Sequence, residues 1–356
     1  MRQLVKQILM LIFSILYFCR KVFTRNISRR RVSKVLVLDL MGIGDVVCLT
    51  PFLKSLNDDE ELSVWGCFPK SYIGLVDGLV NLDGTIGHVS YPKTIKEIRK
   101  EQFDLIIIPG WALRHSIVAL LSCKRILGYI TSFSKEYISS FEFQSVGYEI
   151  TSKTLDMKSL HLAHRSDVIL DALKANPIST ECRATSVSRS NIVIHAGADF
   201  EGRRWPTVRF AEMINLLVAE YNFKPESFKM VGGPQDKELN SQILKACKFP
   251  ITDLAGKLNL KETRALIEAS SLFIGNDSGP MHIAWVSGVK TIALMGPNLP
   301  SISGPLGSKS KALFHQQPCS PCNQTGCPYS YKCIYAIEIT QVVETILSLM
   351  EIQCTK

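Results

Sequence analysis

No acidic residue occurs among the first 34 positions of this 356-residue chain. The same stretch holds Arg2, Lys6, Arg20, Lys21, Arg25, Arg29, Arg30, Arg31 and Lys34, nine cations that account for the whole formal net charge of +9. Residues 35–356 are therefore neutral overall. A charge confined to one segment is not the distributed positive surface of a general nucleic-acid binder, and that class is set aside. Long apolar runs are scarce at this end too. Ile8–Cys19, apolar except for Ser14, has twelve residues where a bilayer-spanning helix needs about 20. No small-x-small cleavage site follows it, only Arg20, Lys21, Val22 and Phe23, which disfavours a signal peptide. A third glycine is missing from the first glycine-rich turn. Gly42 and Gly44 give only G-x-G, with Val47 in the third place, so a nicotinamide oxidoreductase lacks its fingerprint.

What is present is a globular composition, 46% hydrophobic and 21% charged, in a chain long enough for two domains. Val35–Leu40 reads as a buried parallel strand, Met41–Asp45 as a turn, and Val46 onward as a helix kinked by Pro51. Strands follow at Leu62–Cys67 and Leu105–Ile108, with a helix over Trp111–Ser122. The polar stretch 176–190 interrupts the pattern and marks a boundary. A second βα series then begins. It has strands at Asn191–His195 and Ser227–Val231 and helices at Thr207–Tyr221 and Leu260–Ser270. The expected domains are 34–180 and 181–318, each Rossmann-like, followed by a cysteine-rich segment 319–334 and a C-terminal helix within 335–356. Two such α/β domains facing each other leave a cleft at the C-terminal ends of their strands.

The run GNDSGPMHIAWVSGVKTIALMGP, residues 275–297, reads as strand end, tight loop, helix from Met281 to Ser287 closed by Gly288, and next strand at Thr291–Met295. A helix that starts where a loop leaves a strand collects free N–H groups and the positive end of its dipole, which favours bound phosphate. Asp277, Ser278 and His282 stand around that point.

Three elements occur in order: DLMGIGDVVCLTPFLKSL, HAGADFEGRRWP and GNDSGPMHIAWVSGVKTIALMGP, with GGPQDKE and DLAGKLNLKETRALIEAS between the last two. Together, over about residues 34–305, they resemble glycosyltransferase family nine, the bacterial heptosyltransferases. The resemblance implies a GT-B fold, two Rossmann-like domains facing across a cleft. It also implies an inverting transfer of a sugar from a nucleotide diphosphate, with ADP-heptose as donor and lipopolysaccharide core or a related lipid-linked glycan as acceptor. Asp45 matches the family's general base, a carboxylate able to take the acceptor hydroxyl proton; it could also cap the helix expected at Val46. Gly42 and Gly44 would let the acceptor-side loop turn tightly. Arg203 and Arg204 match the basic segment that meets the donor phosphates, where charge builds as the sugar–phosphate bond breaks. Lysine is common there in the family, and arginine keeps the charge. Asp277, Ser278 and Gly279 match the Asp-Thr-Gly run, with Ser for Thr. His282 matches the histidine one turn on, either as a donor contact or as a bond holding loop to helix. Asp236 is placed near the donor's ribose or base. His195 reads as a satisfied strand-end histidine.

Cys319, Cys322, Cys327 and Cys333 form a separate group that opens with C-x2-C spacing. A structural zinc is the leading reading; an iron–sulfur cluster, free thiols and disulfides are the others. Catalysis by this family's mechanism requires no metal. The basic, apolar residues 1–33 are expected to lie on the anionic inner-membrane surface, leaving the protein cytoplasmic and peripheral; the other readings are a single span with its basic side in the cytoplasm and a helix packed on the protein itself. The competing functions are a transferase of the same fold using another nucleotide sugar, and a non-catalytic membrane-associated adaptor.

Overall fold

The computed structural model describes residues 32–109, 113–122, 126–130, 141–146, 154–155, 163, 190–322 and 326–352. The chain divides into two compact units, Met1–Ile178 and Ser179–Lys356. The expected membrane-associating segment lies outside the described residues except for Val32 and Ser33, and the polar stretch 176–190 except for Ser190.

The first unit is built on β1 (Lys34–Leu38), β2 (Ser63–Pro69), β3 (Gly84–His88), β4 (Leu105–Ile108), β5 (Ile126–Ile130), β6 (Phe141–Val146) and β7 (Thr154–Leu155), in the order β3-β2-β1-β4-β5-β6-β7. β1 to β5 pair in parallel, and β6 and β7 add antiparallel at one edge. Strand alternation explains why β1 is apolar throughout. Val35 and Val37 pack with Val46, Phe52 and Leu53. Leu36 and Leu38 pack with Ile106, Ile108 and Val118 in a separate cluster. Both faces of the sheet are thus covered, as parallel sheets require.

The single kinked helix expected after β1 is instead two helices, Ile43–Cys48 and Thr50–Asn57. Pro51 falls in the first turn of the second helix, where its missing N–H would have no helical partner anyway, so the chain restarts there rather than kinking. The first of these helices starts three residues earlier than expected, and Gly42 is its N-cap.

The second unit carries β8 (Asn191–His195), β9 (Phe228–Met230), β10 (Thr252–Asp253), β11 (Ser270–Asn276), β12 (Lys290–Met295) and β13 (Ser310–Phe314), all parallel in the order β10-β9-β8-β11-β12-β13. Its core gathers Ile192, Ile194, Trp205, Phe210, Leu272 and Ile274. The C-terminal helix is Ile339–Met350, and its apolar face, Val342, Val343, Ile346 and Leu347, is buried in this same core. In each unit the strand order reverses beside the first strand, between β1 and β4 and between β8 and β11. The loops leaving the C-terminal ends of those strands form the place where doubly wound sheets hold ligands.

Candidate functional site

The second unit's switch point gathers most of the residues singled out in the sequence. β8 ends at His195, which is buried. Its Nδ1 lies 2.9 Å from Ser278 Oγ and its Nε2 3.5 Å from Asp236 Oδ2. The Asp236 carboxylate also accepts from the Gly233 amide at 2.8 Å. Burial alone would push the Asp236 carboxyl up. The hydrogen bond and charge of His195, the Gly233 amide and Arg204 outweigh that and hold it below the usual carboxylate range. The close approach depends on Gly197, where any Cβ would collide with Asp236 Oδ1. His195 is therefore satisfied, as expected, but through partners from two other loops.

β11 delivers the second group. Asp277 is 3% exposed. Asn298 Nδ2 donates to its Oδ2 at 2.6 Å, Arg203 Nη1 stands 3.9 Å from the same oxygen, and His282 Nε2 is 4.0 Å from Oδ1. Burial pushes the Asp277 carboxyl above the usual range, opposed by Arg203, Asn298 and Ser303. A buried carboxylate repels phosphate, so Asp277 is suited to hold Arg203 and to accept hydroxyl hydrogen bonds. Trp285 Nε1 donates to His282 Nδ1 at 3.2 Å, which leaves the proton of a neutral ring on the nitrogen facing Asp277. His282 thus meets Trp285 of its own helix and faces Asp277 of the loop, which leaves both expected roles open to it.

The helix after this loop is Gly279–Val286, with Ser278 as N-cap and Pro280 in the first turn. Its positive end opens here as expected, two residues earlier than the sequence reading and with one N–H removed by the proline. The Ser278 hydroxyl makes no cap bond; it donates to Asn276 O at 3.0 Å and meets His195.

The arginine pair is split between two tasks. Arg204 Nε donates to Ala198 O at 2.8 Å, bracing its own loop. Arg203 is the member beside Asp277, and its guanidinium carbon lies 5.3 Å from the Phe200 ring centroid. Sequence reasoning missed Asn276, which is fully buried and fixes this loop. Its Nδ2 donates to Ala196 O at 2.8 Å and its Oδ1 accepts from Trp205 N at 3.1 Å. The available signal was an amide side chain at the end of the otherwise apolar run Leu272–Ile274.

In the first unit, Asp39 is buried and accepts from the Met41 amide at 2.7 Å, a local bond that shapes the turn after β1. Asp45 is half-buried in the first turn of Ile43–Cys48, so it is inside the helix and is not its cap. The glycine expectation needs correction. Gly42 has φ −69°, and a Cβ there would make an ordinary 3.5 Å contact with Asp45 Oδ2, while Gly44 lies within the helix. Neither position demands glycine for its backbone conformation.

Cys319, Cys322, Cys327 and Cys333 are free thiols that line one cavity with Phe200, Glu201, Gly202, Pro297 and Tyr331. Among the described residues no three His, Cys, Asp or Glu side chains converge as a metal-ligand set.

Two Rossmann-like α/β units, the second with cations, buried carboxylates and a helix N-terminus at its switch point, define a protein of the GT-B class. The family model described as glycosyltransferase family 9 (heptosyltransferase) matches residues 92–332, and the chain belongs to that family. Lipooligosaccharide heptosyltransferase 2 of Campylobacter jejuni is 32% identical over 162 residues, covering 44% of this chain and 50% of that protein. The chain thus spans about half the length of that curated relative. The family 9 glycosyl transferase of Veillonella parvula superposes with a TM-score of 0.73 at 21% identity, covering 92% of this chain and 100% of that one. The Escherichia coli ADP-heptose lps heptosyltransferase II gives a TM-score of 0.63 at 19% identity, covering 89% and 98%. These two likenesses concern the fold.

Proposed function

We propose that the protein is an inverting glycosyltransferase that moves heptose from ADP-heptose to a lipopolysaccharide core or related lipid-linked glycan. The observation that carries the reading is the second unit's switch point. There Arg203, the N-terminal end of Gly279–Val286 and the Ser278 hydroxyl adjoin one another, with Asp277 and Asp236 held beside them. A departing diphosphate needs such fixed positive groups, and a sugar needs such acceptors. In the first unit Asp45 takes the proton of the acceptor hydroxyl, whose oxygen bonds to the anomeric carbon as the bond to the diphosphate breaks. ADP leaves with the electron pair, and Arg203 and the helix end offset its charge.

No step in this reading uses a metal, and it stands without zinc on the four cysteines. Residues 1–33, basic and apolar, hold the enzyme on the cytoplasmic face of the inner membrane, where a lipid-linked acceptor is presented. Among the described residues no helix is long and apolar enough to cross a membrane.

The test is transfer itself. Purified protein is incubated with ADP-heptose and a series of truncated lipopolysaccharide acceptors, and the products are read by mass spectrometry. One acceptor should gain a single heptose while ADP is released in equal amount. Binding of ADP-heptose with no transfer to any acceptor supports the adaptor instead. Turnover only with UDP, GDP or CDP sugars overturns the donor assignment.

A further inference from the structure

The cysteine-bearing segment touches both members of the Arg203–Asp277 pair through their neighbours. On one side, Tyr331 Oη donates to Glu201 Oε2 at 3.1 Å. Its ring lies against Gly202, where a Cβ would sit 3.0 Å from Tyr331 Cδ1. The Gly202 carbonyl in turn abuts Gly296, so this backbone is confined from two directions immediately before Arg203. On the other side, Cys322 N donates to Pro297 O at 3.1 Å. The next residue is Asn298, the donor to Asp277. Tyr331 itself is held in the left-handed region, φ +56°, with its N–H on Cys327 Sγ at 3.2 Å.

We propose that Tyr331 is a positioning residue for Arg203, and that the segment carrying the four cysteines braces the donor-binding loop and sets donor affinity. This rests on the reading that Arg203 meets the donor diphosphate. At 3.9 Å the Arg203–Asp277 contact is long for a charge-assisted bond, so a small shift of residues 201–202 changes where the guanidinium points. The Tyr331–Glu201 bond is exposed to solvent and contributes little by itself. The ring packed on Gly202 carries the coupling, and Cys327 fixes the backbone that aims the ring.

The experiment is calorimetric titration of the full chain with ADP, in wild type, Tyr331→Gly, Arg203→Ala and the double variant. Glycine takes a φ of +56° readily, so Tyr331→Gly removes the ring and keeps the backbone conformation. Tyr331→Gly should weaken ADP binding about three- to tenfold in the wild-type background and by less than about twofold in the Arg203→Ala background. Tyr331→Phe, which keeps the ring, should bring affinity back to within about twofold of wild type. The same loss in both backgrounds, or no loss in the wild-type background, overturns the proposal. Failure of the underlying donor reading shows separately, as a wild-type protein that does not bind ADP.

Discussion

Two carboxylates, Asp45 and Asp277, carry opposite burdens at the residue scale. Asp277 is buried, shifted upward and tied to Asn298 and Arg203, so its charge is committed within the second unit. Asp45 is half-buried in the first turn of a helix, where a negative charge is favourable. That helix interaction stabilises by about 0.3–1 kcal/mol, whereas removing a general base costs about a hundred- to ten-thousandfold in rate. The two roles therefore separate cleanly in Asp45→Asn, which keeps shape and removes basicity. Steady-state transfer should fall by about that kinetic factor, with ADP affinity within about twofold of wild type. Transfer at the wild-type rate would assign Asp45 to the helix alone.

At the scale of elements, β11 and the loop after β8 are joined by one side chain. Asn276 satisfies the Ala196 carbonyl and the Trp205 amide, both in buried surroundings. Asn276→Leu fills similar space and leaves both backbone groups without that partner, at about 1–3 kcal/mol each. We expect the urea midpoint to fall and ADP binding to weaken with it, because the Arg203 loop loses its anchor. An unchanged midpoint in equilibrium unfolding would show that Asn276 does not hold the loop. This bond also marks where sequence reading stops. The strands β1, β4, β8 and β12 were legible because each is an apolar run with a turn signal behind it. β13 was not, since Ser310–Phe314 is only half-buried and mixes polar with apolar residues. Asp277, Ser278 and His282 could be picked out from one helix start as candidates near phosphate, and Asp236 only through the resemblance, as a candidate near the ribose or base. Their partners could not. His195 meets Ser278 across 83 positions and Tyr331 meets Glu201 across 130, and such pairings are set by sheet topology and loop packing.

For the whole molecule, charge distribution supplies the remaining argument. The cations of residues 1–34 stand against a remainder that sums to zero, so that segment carries the chain's whole net positive charge toward an anionic surface. The first described residues are tied into the first unit. Asp104 Oδ2 accepts from Ser33 N at 3.0 Å, from Ser33 Oγ at 2.9 Å and from Lys34 N at 3.0 Å. Val32 packs against the first unit's core. A truncation meant to test the membrane role should therefore remove residues 1–31 and leave Val32 and Ser33 to complete β1's entry. In flotation with phosphatidylglycerol-containing vesicles, the full chain should rise with the lipid at low salt. Part of it should be released at about 1 M NaCl, where the screening length is about 3 Å. Retention after salt would measure the apolar share contributed by Ile8–Cys19. The truncated chain should stay at the bottom of the gradient yet transfer sugar to a detergent-solubilised acceptor at the full-length rate. Equal flotation of both chains would move the membrane contact into the folded units, and loss of transfer in detergent would make residues 1–31 part of the enzyme's working structure.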